Sequence, residues 1–377
     1  MIYQKVAFHN FRNFSDFKMD FHPGINIFIG QNGQGKTNLL EGLFLLTQGE
    51  SFRYGDNETF IYNQSQEAIL RTQIKKDDLI WDIKLQVLKS RKNHFANEKK
   101  ITASTCSEKF PVIIFSPESL SAIKEGDDQR RQLVDALLIT THPGMSETIS
   151  DYRRVLKSRN KLLKNHLEGL NSESETRVLL ESINPIFLQC ATALTLARIE
   201  ALNVITPDLN FAMKSITSEN NVDISVEYVI SGQSAKNYNR QMVYDSLHKR
   251  IQELSSAELA SGNTLTGPHK HDIKFLYNQN DSRFFCSQGQ QRVLILSFKM
   301  AQIVYHRRVH KSDPVLMLDD VLSELDFQKR SALISFLKGI GTQIFISTTE
   351  MNLPAEMRAK ELAVYQIAQG KIIESCY

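Results

Sequence analysis

The sequence predicts an α/β fold: a mixed sheet with flanking helices, interrupted by an inserted, mainly helical second lobe. Two observations lead to this prediction. Short apolar runs typical of β-strands occupy the N-terminal third and return in the C-terminal third. Between them the periodicity is helical, and Pro and Gly are sparse. We therefore expect one discontinuous α/β domain, residues 1–120 and 265–377, around a helical insertion, residues 121–264.

The composition is that of an ordinary globular protein, with 41% hydrophobic and 23% charged residues among 377. The net charge of +3 neither demands nor excludes a polyanionic partner. The chain has no run of about 18 apolar residues and no signal-peptide pattern at its start, so we expect no membrane partner. Four widely spaced cysteines favour free thiols and a reducing, cytoplasmic setting.

The predicted strands are short. Around Trp81, apolar and polar residues alternate with the period of two that a half-buried strand requires. Other runs are compact and apolar, which is typical of strands buried on both faces of a sheet. The predicted strands are Ile2–Phe8, Phe17–Phe21, Ile25–Ile29, Trp81–Val87, Val112–Phe115, Val222–Ile230, Val315–Leu318 and Ile344–Ile346, followed by a hairpin around Gly370.

The predicted helices lie mainly in the insertion. One has an apolar face that runs from Tyr152 to Leu170. A second, long helix covers much of Thr176 to Ile205 and ends near Pro207, because proline interrupts a helix interior. A third covers Met242 to Leu259.

A glycine-rich turn follows the predicted strand Ile25–Ile29 and precedes a helical pattern. Gly30, Gly35, Lys36 and Thr37 fit G-x-x-x-x-G-K-[ST], the phosphate-binding loop. Glycines let backbone N–H groups curl around a phosphate, the lysine neutralises the β- and γ-phosphates, and the threonine ligates Mg²⁺. The sequence therefore predicts a nucleotide site formed by Gly30, Gln31, Asn32, Gly33, Gln34, Gly35, Lys36, Thr37 and Asn38.

A second candidate lies where the apolar run Val315–Leu318 ends in Asp319 and Asp320. A buried parallel strand delivers its last residues to the sheet edge where ligands bind in open α/β folds. Two adjacent acids can be an ordinary surface feature, but a phosphate loop in the same chain favours function. We assign Asp319 to the metal and Asp320 to the water that attacks the γ-phosphate, so that these two acids and Lys36 are the predicted catalytic residues.

A third loop, Cys286–Arg292, precedes a strongly apolar helix. Ser287, Gly289 and Gln290 at a helix start have the residue types of an anion cradle, although a plain helix cap explains them as well. The phosphate loop, this loop and the carboxylate strand follow one another in an order that a simple P-loop GTPase does not have.

The sequence resembles the ABC-type ATPase heads of SMC-like DNA-repair proteins, and most closely the RecF family. No single segment is decisive, but their order and spacing over nearly the whole chain are specific. The matching segments are Asn10–Phe14, the phosphate loop, Phe115–Asp135, Tyr152–Lys164, Leu265–Asp272, Ser287–Arg292 and Leu316–Asp326.

The resemblance implies roles for the later segments. Ser287, Gly289 and Gln290 match the signature loop, which in this family binds the γ-phosphate held by a second subunit, so that ATP joins two heads. Ser323–Asp326 matches the D-loop, which crosses that interface. Transporters carry a switch histidine at the place of Ile346–Thr349, where this sequence has none.

The resemblance also implies slow catalysis. Asp320 stands where transporters have a glutamate, and its shorter side chain reaches the attacking water less well. Phe115–Leu120 lacks the usual Q-loop glutamine, which senses the γ-phosphate. We expect a weak, DNA-stimulated ATPase in which hydrolysis of ATP with Mg²⁺ times the opening of a homodimer.

A RecF-like protein is expected to bind single-stranded gaps or duplex junctions in DNA and to help RecO and RecR load RecA. This would place the chain in recombinational repair, replication restart and the SOS response. The alternatives are another SMC-like ATPase or ABC ATPase subunit without a part in RecA loading, an ATPase fused to a nuclease, and a non-catalytic ATP-gated clamp. The missing switch histidine argues against a transporter subunit, and too few residues follow the carboxylate strand for a nuclease domain.

A row of basic residues without an acid lies in Tyr152–Leu167. On a helix, most of the row falls away from the apolar stripe and can follow DNA phosphates without reading the base sequence. A solvated helix face is the ordinary alternative. A second, weaker candidate is the basic stretch Lys89–Lys100. The predicted DNA-binding residues are Arg153, Arg154, Lys157, Lys161 and Lys164.

The segment His269–Asp272 has the residue types of a metal cluster. Adjacent residues on an extended segment point to opposite faces, so we expect structural roles for these side chains. Arg130 and Arg131 stand beside Asp127 and Asp128 in a predicted first helical turn. They are either an ion-paired scaffold or an anchor between domains, and the sequence leaves both open.

Overall fold

The structure is a computed structural model that describes residues 1–53, 55–63, 65–120, 122–217, 221–349 and 362–376. The chain divides into two compact units. The first comprises Met1–Ser121, Phe211–Asn221 and Gln288–Tyr377, and the second comprises Ala122–Asn210 and Val222–Ser287.

The strands are, in chain order, β1 (Ile2–Phe11), β2 (Phe14–Asp20), β3 (Ile25–Ile29), β4 (Glu67–Lys76), β5 (Leu79–Leu88), β6 (Lys92–Ala96), β7 (Lys99–Ile101), β8 (Val112–Phe115), β9 (Ile224–Ile230), β10 (Gln233–Ser234), β11 (Asp272–Tyr277), β12 (Asn280–Asp281), β13 (Val315–Asp319), β14 (Ile344–Thr348), β15 (Leu362–Ala368) and β16 (Lys371–Cys376). The helices are α1 (Lys36–Gln48), α2 (Ala103–Lys109), α3 (Pro117–Leu120), α4 (Ala122–Glu125), α5 (Asp127–Thr141), α6 (Met145–Leu167), α7 (Glu173–Thr217), α8 (Arg240–Ser261), α9 (Ser282–Phe285), α10 (Gln288–His310) and α11 (Phe327–Lys338).

The first unit contains two six-stranded sheets. One is antiparallel, in the order β2-β1-β4-β5-β6-β7. The other is mixed, in the order β16-β15-β3-β14-β13-β8, with only β16 antiparallel to its neighbour. The parallel arrangement brings the C-terminal ends of β3, β14 and β13 to the same edge, with β14 in the middle.

Helix α1 contacts strands of both sheets. Leu39, Leu40 and Leu43 on it are fully buried, so the helix that follows the phosphate loop lies inside the core rather than on its surface. Aromatic rings also pack between the two sheets: Tyr3 of β1 contacts Phe345 of β14 edge-on, with 5.7 Å between the ring centroids. Burial of so much apolar surface fixes the position of α1, and with it the loop at its N-terminus.

The second unit combines α5 to α8 with a four-stranded antiparallel sheet in the order β10-β9-β11-β12. Its interior holds ion pairs, of which Arg159 and Glu258, 2.6 Å apart, are each 1% exposed. The sequence-based division assigns residues 265–287 to the α/β domain. In the structure β11 pairs with β9 along its whole length, and this segment belongs to the second unit.

The predicted end of the long helix near Pro207 is wrong, because α7 continues to Thr217. Leu209 and Met213, beyond the proline, are fully buried, and this packing outweighs the hydrogen bond that Pro207 removes. In the part of the chain that the structure describes, α7 alone has the length and apolar composition of a membrane-spanning helix. Its buried Arg198 pairs with Asp135 at 2.9 Å, as in a core helix of a globular unit.

Candidate nucleotide site

The phosphate loop joins β3 to α1, and its geometry explains why three of its positions are glycine. Gly33 and Gly35 have φ of +79° and +109°, in the left-handed region that favours glycine. A Cβ atom on Gly30 would lie 2.4 Å from the carbonyl oxygen of Ile367 on β15. The loop therefore turns tightly into the N-terminus of α1, where the helix dipole favours an anion.

Lys36 is the first residue of α1, and its side chain is folded back over the loop. The ammonium Nζ donates to the carbonyl oxygens of Gly30, at 2.6 Å, and Gln31, at 2.9 Å. Burial lowers the pKa of Lys36, and the nearby carboxylates Asp320 and Asp319 offset part of this effect. The cation is thus held beside the loop, close to two acids and partly removed from water.

Thr37 connects the loop to the carboxylate strand. Its hydroxyl donates to Oδ1 of Asp319 at 2.9 Å. The same Oδ1 accepts a hydrogen bond from the hydroxyl of Ser347, on the intervening strand β14, at 2.6 Å. Burial raises the pKa of Asp319, and the two hydroxyl donors act against this rise. The N-terminus of α1 and the ends of β13 and β14 therefore meet at one carboxylate.

Asp320 follows the end of β13 in a left-handed conformation, with φ of +49°. Its backbone N–H is held by Ser347, which offers its carbonyl oxygen at 3.1 Å and its hydroxyl at 3.0 Å. The carboxylate atom Oδ1 of Asp320 is buried without a hydrogen-bond partner among the described residues. A buried acceptor of this kind is costly unless a ligand or water satisfies it.

Comparison with known proteins identifies the family. The sequence profile described as the RecF/RecN/SMC N terminal domain matches residues 2–373. The DNA replication and repair protein RecF of Heliobacterium modesticaldum is 33% identical over 377 residues, which cover 99% of each chain. RecF of Lactobacillus gasseri is 33% identical over 96% of each chain. The chain belongs to the RecF family.

Solved structures agree with this assignment. The recombination mediator protein RecF-ATP in the RecFOR pathway superposes with a TM-score of 0.87 at 27% identity, over 100% of this chain and 98% of that one. The Smc head domain of Pyrococcus furiosus, at 13% identity and a TM-score of 0.54, shares the fold. The predicted fold class, an ABC-type ATPase head with an additional helical lobe, is confirmed.

Ser347 is the site residue that sequence reasoning missed in this RecF family member. It stands within Ile346–Thr349, where the sequence shows only that a switch histidine is missing. Its contacts with Asp319 and Asp320 depend on β14 lying between β3 and β13, and the sequence does not give the strand order. The usable signal is a hydroxyl at the end of a buried apolar strand.

The phosphate loop is also braced from its outer side, by residues that were not predicted. The side-chain oxygen of Gln34 accepts from the N–H of Gln369 at 2.6 Å, and its carbonyl accepts from that of Gly370 at 2.9 Å. Asn13 accepts a hydrogen bond from Asn38 at 2.8 Å. The turn between β15 and β16 and the turn between β1 and β2 thus fix the loop.

The residues that match the signature loop lie on the surface. Ser287, Gly289 and Gln290 are accessible around the first turn of α10. Arg292, one turn further, pairs with Glu324 of the D-loop segment at 2.7 Å. Helix α10 and the segment that matches the D-loop are therefore in direct contact within one chain.

The five predicted DNA-binding residues are all exposed on α6. Arg153, Lys157, Lys161 and Lys164 follow one another at intervals of three or four, so they lie on the same side of the helix. Arg154 lies beside them and pairs with Asp151 at 2.9 Å. DNA contact by this surface, which we call the α6 basic face, stays a prediction.

The His269–Asp272 segment holds the second unit together. His269 bonds through Nδ1 to the hydroxyl of Tyr152 at 2.6 Å, and His271 bonds through Nδ1 to that of Tyr228 at 3.0 Å. Burial lowers the pKa of His269 to about 4 and that of His271 to about 3. Both rings therefore serve as neutral hydrogen-bonding groups inside the fold.

Proposed function

We propose that this RecF family member is an ATP-dependent DNA-binding protein of recombinational repair and replication restart. The observation that carries the proposal is the convergence of Lys36, Thr37, Asp319 and Asp320 at one sheet edge. A lysine ammonium, a helix N-terminus and adjacent oxygen ligands are what a Mg²⁺–nucleoside triphosphate requires. The solved relatives described as RecF-ATP and RecF-ATPrS support ATP as the nucleotide.

The oxygen ligands fit Mg²⁺, which prefers a few carboxylate and hydroxyl oxygens and keeps its remaining waters. The Thr37 hydroxyl and the Asp319 carboxylate are 2.9 Å apart and supply such oxygens. Mg²⁺ would neutralise charge on the β- and γ-phosphates. Ser347 would hold Asp319 in place from the opposite side, since it donates to the same oxygen.

Asp320 is the group we propose as the general base. Its Oδ1, which is buried and has no hydrogen-bond partner within the described part of the chain, can accept a proton or a hydrogen bond from a water that attacks the γ-phosphate. The short aspartate side chain reaches less far than a glutamate, so we expect slow ATP turnover. We also propose that DNA stimulates this hydrolysis. The backbone bonds to Ser347 keep this acid in its unusual left-handed conformation.

We further propose an ATP-dependent homodimer in which Ser287, Gly289 and Gln290 bind the phosphate held by the other copy. Supporting this, highly exposed apolar side chains flank the two loops concerned: Phe284 and Phe285 precede the signature loop at 78% and 71% exposure, and Phe327 follows the D-loop at 76%. Adjacent exposed aromatic side chains, as at Phe284 and Phe285, are typical of contact surfaces.

DNA would be bound along the α6 basic face, through phosphates rather than bases. A preference for gaps and junctions, cooperation with RecO and RecR in loading RecA, a link to the SOS response and a cytoplasmic location belong to the same proposal. They are supported by the names of the relatives, which are DNA replication and repair proteins and a mediator of the RecFOR pathway.

The test is DNA binding with and without ATP and Mg²⁺, measured side by side on gapped, duplex and single-stranded DNA. We expect ATP to strengthen binding to gapped or duplex DNA, and Lys36→Met to abolish that effect. Binding that is equal with and without ATP on all three substrates would contradict an ATP-gated DNA-binding protein.

A further inference from the structure

A cluster of charged side chains lies directly before the signature loop, within the second unit. Asp272, the first residue of β11, is at its centre. Its Oδ1 accepts from Nη2 of Arg130 at 2.8 Å, and its Oδ2 accepts from Nη1 of Arg283 at 3.0 Å. Arg130 is fully buried and also bonds Asp127. One carboxylate therefore joins α5 to α9.

Arg283 is the member of the cluster that reaches the signature loop. It forms a bidentate pair with Asp281, donating from Nε to Oδ1 and from Nη2 to Oδ2, and the Asp281 side chain also caps the first turn of α9. Helix α9 has only four residues, and Cys286 N–H bonds the Ser282 carbonyl at 3.4 Å at its end. So short a helix has no stability of its own, and side-chain anchors must set its position.

We infer that Asp272 is a positioning residue for the signature loop: through Arg283 it fixes α9 and hence the approach of Ser287 to the phosphate held by a second copy. The bidentate pair with Asp281 orients the Arg283 guanidinium, and the charge-assisted hydrogen bond from Arg283 to Asp272 then ties α9 to β11. The side chains of Asp272 and Arg283 are only 19% and 22% exposed, so water screens the pair less than a surface pair. The inference rests on the proposed ATP-dependent dimer.

The cluster also answers the question that the sequence left open about Arg130. This arginine is part of an ion-paired scaffold, and the scaffold leads to the signature loop through Asp272. Arg131 belongs to the same framework, because it bonds Asp128 and donates to the carbonyl oxygen of His271 at 2.7 Å.

The experiment compares Asp272→Asn and Arg283→Gln with wild type. Arg283→Gln is the gentler change, since it leaves the buried Arg130–Asp272 pair intact. Both variants should bind a fluorescent ATP analogue as monomers with wild-type affinity, because Lys36 and its loop belong to the other unit. Their ATP-dependent dimerisation, measured by sedimentation, should weaken at least tenfold, and kcat should recover at high protein concentration.

The matched control is Asp135→Asn, which breaks another buried ion pair of the same unit, with Arg198. It should lower the Tm but leave dimerisation of the folded protein at the wild-type level. Wild-type dimerisation in Arg283→Gln, or an equal loss in Asp135→Asn, would overturn the inference while leaving the proposed function standing. If the wild-type protein itself fails to dimerise with ATP, the proposed dimer is what fails.

Discussion

Thr37 and Asp319 lie 282 positions apart in the chain, and a hydrogen bond of 2.9 Å joins their side chains. The contact arises because β3 and β13 are parallel neighbours of β14, so that the ends of all three strands meet. It unites the two motifs on which nucleotide chemistry would depend. Substitutions along this edge should therefore impair nucleotide binding and hydrolysis directly, and should change DNA binding only as a consequence.

Lys36→Met should weaken ATP binding by about 100-fold, because the ammonium is held directly against the phosphate loop. The measurement is titration with a fluorescent ATP analogue. Lys5→Met, an exposed lysine on β1, is the matched control and should bind ATP like wild type. Equal affinity in both variants would show that phosphate does not bind beside Lys36.

Asp320→Asn should keep nucleotide binding and lower kcat by about 100-fold or more, the usual contribution of a general base. Steady-state ATP hydrolysis with and without DNA is the measurement. Asp313→Asn, which removes an acid that pairs with Arg307 near the start of β13, serves as the control. Hydrolysis at the wild-type rate in Asp320→Asn would show that Asp320 is not the base, whereas no hydrolysis by the wild-type protein itself would favour a non-catalytic, ATP-gated clamp.

Ser347→Ala should raise the Mg²⁺ concentration needed for nucleotide binding, because Asp319 loses a hydrogen bond of 2.6 Å that holds it beside Thr37. The N–H of Asp320 also loses the Ser347 hydroxyl, although it keeps the Ser347 carbonyl oxygen as a partner. The loss of these two hydrogen bonds should lower the free energy of unfolding by about 1–3 kcal/mol. Mg²⁺ titrations and urea unfolding measure the two effects. A variant that loses stability but keeps the wild-type Mg²⁺ dependence would show that Ser347 has a structural role only.

Charge reversal of Arg153, Arg154 and Lys157 to Glu should weaken DNA binding and flatten its dependence on salt. The log–log slope should fall by about 0.9 for each DNA phosphate that the variant no longer neutralises. The matched control reverses Lys249 and Arg250 on α8, which are exposed, basic and in the same unit. An unchanged salt slope after reversal on α6 would remove the α6 basic face from the proposed function.

The stability of the protein should fall as the pH drops from about 6.5 towards 3, in part because of His271. Burial lowers the pKa of His271 from 6.5 to about 3, so the unfolded chain binds its proton first. The contribution is fully present above pH 6.5 and decreases by about 1.4 kcal/mol per pH unit below it. Urea unfolding of wild type and His271→Gln between pH 7.5 and 4.5 should show a shallower pH dependence in the variant. Identical slopes would mean that His271 titrates normally.

Much of the nucleotide edge was predictable, because its residues are contiguous in two motifs. Lys36 and Thr37 follow their glycines directly, and Asp319 and Asp320 end one apolar strand. Ser347 was not predictable, because its role depends on the order of strands in the sheet, and that order reflects contacts between distant segments.

The second unit was predicted less completely. Helical periodicity identified α6 and α8, but the segment 265–287 was assigned to the α/β domain instead of the second unit. The residues of a short strand such as β11 do not indicate which strand it pairs with. The charged pair of Arg159 and Glu258 is another case. In the sequence Arg159 is one of a run of basic residues, whereas in the fold it is buried and bonds an acid 99 residues away.

The most direct test of the ATP-bridged dimer mixes two inactive variants. Lys36→Met keeps its signature loop, and Ser287→Arg keeps its phosphate loop, so a mixed dimer contains one intact composite site. We expect each variant alone to lack ATP-dependent dimerisation and hydrolysis, and the mixture to regain both. A mixture as inactive as its components, beside an active wild type, would show that the signature loop does not act on the nucleotide of a second copy.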